Sequence, residues 1–122
     1  MTHRIRLLAF AVGLVLAMSG QAFAHAMLES AVPSAGSTVA SANAVRLSFT
    51  EALEPHFSSI ALTTQDGKPV AAPKATPDPA DAKVLELHPA APLAPGRYHV
   101  AWAVVSVDTH RTQGAYDFTV QP

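Results

Sequence analysis

Three residues in this 122-residue sequence could meet a metal ion with a mixed donor set: His25, Asp108 and His110. His25 follows Ala22-Phe23-Ala24, the small-x-small pattern at which a secretory leader is cut. Cutting there makes His25 the first residue, which offers a metal two nitrogens, the new α-amine and the imidazole. Asp108-Thr109-His110 adds a carboxylate and a second imidazole. Placed i and i+2, these two project to the same side if the chain is extended there. The sum is three nitrogens and one oxygen, a set that suits tetragonal Cu(II), with Ni(II) behind it. Zinc takes the same donors but prefers a tetrahedron, and at equal geometry copper binds more tightly. Each half alone is a common accident, an arbitrary first residue or a solvated turn. Their joint occurrence in an exported chain carries the expectation.

The leader itself has three parts. Arg4 and Arg6 precede the apolar run Leu7 to Met18, and Ser19-Gly20-Gln21 leads into the cut. A transmembrane helix needs roughly 20 apolar residues, more than this run supplies. Residues 1–24 are therefore expected to be removed as a signal peptide, leaving 25–122 as one domain. In a bacterium that domain goes to the periplasm, with no stable membrane insertion after cleavage. Removing Arg4 and Arg6 from the eight basic residues leaves six against nine acidic ones, a net charge of −3. Nothing in that balance provides the basic patch that nucleic acid requires. Cysteine is absent, so neither disulfides nor thiolate metal sites are available. A domain this small buries somewhat over ~60% of its unfolded surface, and apolar packing must hold it.

The elements that would position the donors are short alternating runs. Val45-Arg46-Leu47-Ser48-Phe49 and Ser59-Ile60-Ala61-Leu62-Thr63 alternate as half-buried strands do, and Val84 to Leu87 is a shorter third. The longest run, Arg97 to Val107, puts Tyr98, Val100, Trp102 and Val104 on one face; Ala115 to Val120 aligns Tyr116, Phe118 and Val120. Between the runs stand Pro33-Ser34-Ala35-Gly36-Ser37, Asp66-Gly67-Lys68-Pro69, Pro77-Asp78-Pro79-Ala80-Asp81 and Leu93-Ala94-Pro95-Gly96, which are turns by composition. The expected fold is all-β, a small antiparallel Greek-key β-sandwich or barrel, cupredoxin- or Ig-like, with about seven strands. Residues 69–82 read as a loop with at most an edge strand, and Trp102 as a core residue. His56, His88 and His99 read as surface histidines, although His56 could approach the copper loop.

The chain resembles the CopC family of periplasmic copper-resistance proteins along nearly all of residues 25–122. The resemblance is carried by "HAMLESAVPSAGS", "VRLSFTEALEPHFSSIAL" and above all "LAPGRYHVAWAVVSVDTHRTQGAYDFTV". It implies a Greek-key β-sandwich that binds one Cu(II) through the N-terminal amine and imidazole together with the Asp and His of an SxDxH segment. Residue by residue, that assigns His25, Asp108 and His110. It also places Glu51, of the "FTE" triplet, beside the copper as an outer or weak ligand. The resemblance further implies a carrier or buffer in copper homeostasis and resistance, handing metal to an inner-membrane copper-uptake protein of the CopD type. Some members of the family carry a methionine-rich Cu(I) loop. Here Met27 is the one methionine after the leader, and Val70 to Ala75 contains no sulfur, so no methionine-rich Cu(I) site is expected.

Two other classes compete with a non-enzymatic copper carrier. A copper-dependent oxidative enzyme of the histidine-brace type would need an open coordination position, which Asp108 would fill, and exposed aromatics for substrate. A metal-free β-sandwich interaction module would be indifferent to His25, Asp108 and His110.

Overall fold

The computed structural model describes residues 25–122, so the leader expected over 1–24 lies outside the described residues. Eight strands are present among them: β1 (Leu28–Val32), β2 (Thr38–Val39), β3 (Val45–Phe49), β4 (Ser59–Thr64), β5 (Thr76–Asp78), β6 (Asp81–Leu87), β7 (Gly96–Val105) and β8 (Arg111–Val120). A 3-10 turn, Pro55–Phe57, is the one helical element among the described residues. The strands form two four-stranded sheets, ordered β1-β3-β6-β5 and β2-β8-β7-β4. The architecture is thus an open sandwich and not a closed barrel.

The inward alternation of β3 is fully realised, with Val45, Leu47 and Phe49 buried and Arg46 and Ser48 half-exposed. From the facing sheet, Ile60 and Leu62 of β4, Val100 and Val104 of β7, and Phe118 and Val120 of β8 meet them in one core. Burying a side chain of this size contributes about 1.5–3 kcal/mol relative to leaving it exposed, which is how the domain holds together without cysteine. Arg46, on the outer face, bridges Asp78 and Glu86 and so joins β3, β5 and β6. Residues 69–82 contain the short edge strand β5, paired with β6 alone.

Two boundaries and one direction differ from the sequence expectation. Strand β8 begins at Arg111, because Thr112 and Gly114 occupy inward registers that carry no apolar side chain to reveal them. Strand β7 stops at Val105, where the chain turns. Strand β2 runs parallel to β8, pairing Thr38 with Thr119 and Val39 with Val120. The chain reaches β2 by crossing from the other sheet, so no hairpin forces an antiparallel pairing.

Trp102 faces inward but is half-buried and packs at the border of the core, edge-on to Phe49 with ring centroids 5.1 Å apart. Its indole lies over its cross-strand partner Gly114, where a Cβ would stand 2.5 Å from Trp102 Cζ2. A side chain at 114 and the indole cannot both occupy this place.

Two tyrosines make opposite predictions. Tyr98 is buried, stacks on Phe118 at 5.5 Å, and its hydroxyl donates to Ala94 O at 2.5 Å, a tyrosine corner that ties β7 to the loop before it. Tyr116 points its hydroxyl into the sandwich, where it meets no hydrogen-bond partner among the described residues, and burial pushes its pKa up to about 12. Tyr98→Phe is expected to cost about 1 kcal/mol of unfolding free energy. Tyr116→Phe should be neutral or stabilising, since it removes a desolvated hydroxyl that bonds to nothing. Urea unfolding of the two variants beside the parent checks both.

On the outer face of β7 and β8, Asp117 accepts from His99 at 2.6 Å and from Arg97 at 3.0 Å, and these bonds hold its carboxyl below the usual range. Asp78 is held low by the Ala80 N–H and by Arg46. A carboxylate whose folded pKa is depressed adds stability above its unfolded value, ~3.9, and loses it as pH falls through the folded value. The metal-free protein should therefore lose thermal stability below about pH 4, and Asp117→Asn should make that loss shallower. Melting temperature against pH reads the effect.

Candidate metal centre

The hairpin between β7 and β8 turns over Ser106–His110. Its backbone closes through Ser106 N to His110 O at 3.0 Å and Thr109 N to Ser106 O at 2.8 Å. Thr109 sits at φ 72°, in the left-handed region, a conformation that costs a residue other than glycine on the order of 1–3 kcal/mol. The chain is not extended here, so the condition for the i, i+2 argument is not met. It is the reversal at Thr109, not strand alternation, that sets Asp108 beside His110. Asp108 Oδ1 lies 3.4 Å from His110 Nδ1.

Ser106 is fully buried at the root of this turn. Its hydroxyl donates to Asp108 Oδ1 and also lies 3.3 Å from His110 O. The hydroxyl, and after it His110, holds the Asp108 carboxyl below the usual carboxylate range, so this oxygen donor is ionised at neutral pH. Ser106 belongs to the Ser-x-Asp-x-His string, but no role for it could be read from the sequence. A group that fixes a ligand without touching the metal is typically worth about 10–100-fold in metal affinity. With Asp108 as the ligand that the sequence leads one to expect, Ser106→Ala should weaken metal binding within that range while the sandwich stays folded. Titration of the variant against a competing chelator measures it.

His25 comes to the same place from the other end of the chain. Thr50, directly after β3, fastens the first residues: Met27 N donates to Thr50 Oγ1 at 2.9 Å, Thr50 N donates to Met27 O at 2.9 Å, and Thr50 Oγ1 donates to His25 O at 3.2 Å. Thr112 Oγ1, at the start of β8, donates to Ala26 O at 2.7 Å, joining residues 86 apart in sequence. Ala26 is buried between them. So anchored, the His25 ring meets the His110 ring edge to face, with centroids 5.0 Å apart and planes 83° to one another.

His25, His110 and Asp108 thus form a row of neighbours. Their side chains stay partly open to solvent, 35% for His110 and 44% for Asp108, so an ion has access. Among the described residues no three His, Asp or Glu side chains stand as a finished metal cage. Thr50 also leads into the segment that holds Glu51, which is half-exposed. His56 lies exposed on the 3-10 turn. His88 and His99 are exposed and face Glu86 and Asp117, respectively. Concavities of ≈ 510 Å³ over the alanine-lined outer face of β4, β7 and β8, and of ≈ 330 Å³ beside Arg97 and His99, include none of the three donors.

Fold and site together define a class, a small two-sheet β-sandwich in which the start of the chain meets a Ser-x-Asp-x-His hairpin at one pole. Residues 28–121 match the family model of the CopC domain, and the chain belongs to that family. It is 42% identical over 117 residues to copper resistance protein C of Escherichia coli, an alignment spanning 89% of this chain and 91% of that protein. Among solved structures it is similar to PcoC of Escherichia coli, described as a methionine-rich copper resistance protein, with TM-score 0.74 and 42% identity over 80% of this chain and 100% of PcoC. It is likewise similar to CopC of Methylosinus trichosporium OB3b, with TM-score 0.74 and 37% identity over 80% of this chain and 95% of the other.

Proposed function

We propose that this protein, once cut before His25, carries or buffers Cu(II) in the periplasm as part of copper homeostasis and resistance. The ion is held by the amine and imidazole of His25, the Asp108 carboxylate and the His110 imidazole, one ion per chain. The observation that carries this reading is the meeting of the His25 and His110 rings at 5.0 Å, across nearly the whole described sequence, beside a carboxylate already ionised. Membership of a family that includes relatives named copper resistance protein C supplies the choice of metal.

Each part of the site has a physical task. The bonds of Thr50 and Thr112 fix where the chain begins, so little freedom remains to be lost on binding at that end. The hairpin presents Asp108 and His110 already adjacent, and Asp108 offsets one charge of the ion. Glu51, one residue past Thr50, is in this reading an outer or weak ligand. The open side of the row is where the metal enters and where a partner would collect it, in this reading an inner-membrane copper-uptake protein of the CopD type. The segment between β4 and β5 holds no methionine, which sets this chain apart from a relative described as methionine-rich and favours Cu(II) as the principal cargo. Binding and transfer, with no bond made or broken in a substrate, make the protein a carrier and not an enzyme.

The deciding experiment is Cu(II) titration of exported, trimmed protein with its first residue verified by mass spectrometry. Electron paramagnetic resonance should report one tetragonal, nitrogen-rich Cu(II) per chain. A correctly trimmed, folded sample that ignores Cu(II), or keeps it unchanged after His25→Ala, would sink the reading.

A further inference from the structure

We infer that Met27 gives the same pole a second binding mode, for Cu(I), in which its thioether joins the imidazoles of His25 and His110. The inference rests on the Cu(II) reading above and adds to it a ligand and an oxidation state.

The first three described residues alternate: His25 is exposed, Ala26 is fully buried, and Met27 is 59% exposed. In an extended segment residues i and i+2 share a side, and at ~3.3 Å of rise per residue they stand about 7 Å apart. Both termini of the Met27 peptide unit are bonded to Thr50, at 2.9 Å each, so this alternation is fixed by the fold. Met27 therefore projects to the side of His25, within reach of an ion that His25 holds. An unbranched side chain with three rotatable bonds can make that approach without moving the backbone.

Its thioether is also open to an incoming ion, since the side chain is exposed. Met27 is among the four large apolar side chains left in water on the described surface, and Val107, next to Asp108, is another. Burial would have been the lower-energy place for either. Met27 is also the one sulfur after the leader.

The chemistry follows from softness. Thioethers select Cu(I), imidazole serves either oxidation state, and carboxylates favour hard ions. Cu(I) presented to this pole would be taken by Met27, His25 and His110, while Asp108 and the amine lose their advantage. Cu(II) would use the amine, Asp108 and both imidazoles and leave Met27 aside. One surface thus serves two ions by exchanging donors around a shared pair of histidines.

The test is anaerobic loading of the trimmed protein with Cu(I), measured by competition with a chromophoric Cu(I) chelator and by X-ray absorption. The parent should show a copper–sulfur shell. Met27→Leu should lose that shell and bind Cu(I) more weakly by at least the about tenfold that loss of even an outer partner costs. Its Cu(II) affinity and paramagnetic spectrum should match the parent, as should its unfolding midpoint, because the Thr50 bonds are to backbone. A sulfur-free Cu(I) form, or equal Cu(I) affinity in Met27→Leu, overturns this inference and leaves the Cu(II) reading standing. Failure of the parent to bind either ion overturns both.

Discussion

Acetyl capping of the His25 α-amine is expected to lower Cu(II) affinity by more than about 100-fold, because loss of a mere outer-shell partner already costs roughly 10–100-fold and capping removes a direct donor of the proposed site. A free α-amine protonates near ~8 and needs little to release its proton at neutral pH, whereas an acylated nitrogen has given its lone pair to the amide. Retaining Ala24 has a related effect. It turns the same nitrogen into a peptide amide and moves the charged chain start one residue away from the hairpin. The fold should not notice either change, since the bonds that anchor this segment run through the carbonyls of His25 and Ala26 and the two peptide groups of Met27. Equal unfolding midpoints with very different Cu(II) titrations are therefore expected. The nitrogen count in the paramagnetic spectrum should fall for the capped form. Undiminished affinity after capping would remove the amine from the ligand set and, with it, any reason for cutting before a histidine.

What the sequence revealed of this protein tracks how locally each feature is encoded. Strands β3 and β4 and most of β7 could be read directly, since Val45, Leu47, Phe49, Ile60, Leu62, Val100 and Val104 bury one face in strict alternation. The first half of β8 could not. Arg111, Thr112, Gln113 and Gly114 carry no apolar period, and Gly114 is inward only because the Trp102 indole fills its place. Strand β1 is equally silent: its register slips between Leu28 and Ser30, and its burial does not alternate. Strand β2 owes its two residues to the β8 edge beside it.

The site divides in the same way. His25, Asp108 and His110 announce themselves by residue type, but their meeting depends on long-range bonds from Thr50 and Thr112, which no spacing rule contains. Spacing alone would pair Asp108 with His110 only along an extended chain, and the fold pairs them through a left-handed turn at Thr109. Ser106 and Thr50 went unrecognised as positioning residues because a hydroxyl at a strand end looks like any other until its partner is known.

His110→Ala carries the other large effect, and its backbone can be kept out of the answer. The hairpin is closed by Ser106 N on the His110 carbonyl and Thr109 N on Ser106 O, bonds an alanine retains. Asp108 keeps its Ser106 hydroxyl and remains open to water. Only the imidazole leaves. Cu(II) affinity should again drop by more than about 100-fold, above the outer-shell range, and the spectrum should lose one nitrogen. The loss can be read a second way, through folding. A ligand at 100 times its dissociation constant stabilises the native state by about 2.7 kcal/mol, and the same concentration over a site 100-fold weaker by about 0.4 kcal/mol. For a domain of this size each kcal/mol moves the midpoint by about 4–8 °C. Copper should therefore raise the parent's melting temperature by more than about 10 °C and that of His110→Ala by about 2–3 °C. Combining His110→Ala with the capped amine should cost less than the two losses added, because in the proposed site both donors act on one ion and the second removal finds it already poorly held. Strict additivity would mean that the amine and the imidazole bind separate ions, and the shared site at this pole would then have to be abandoned.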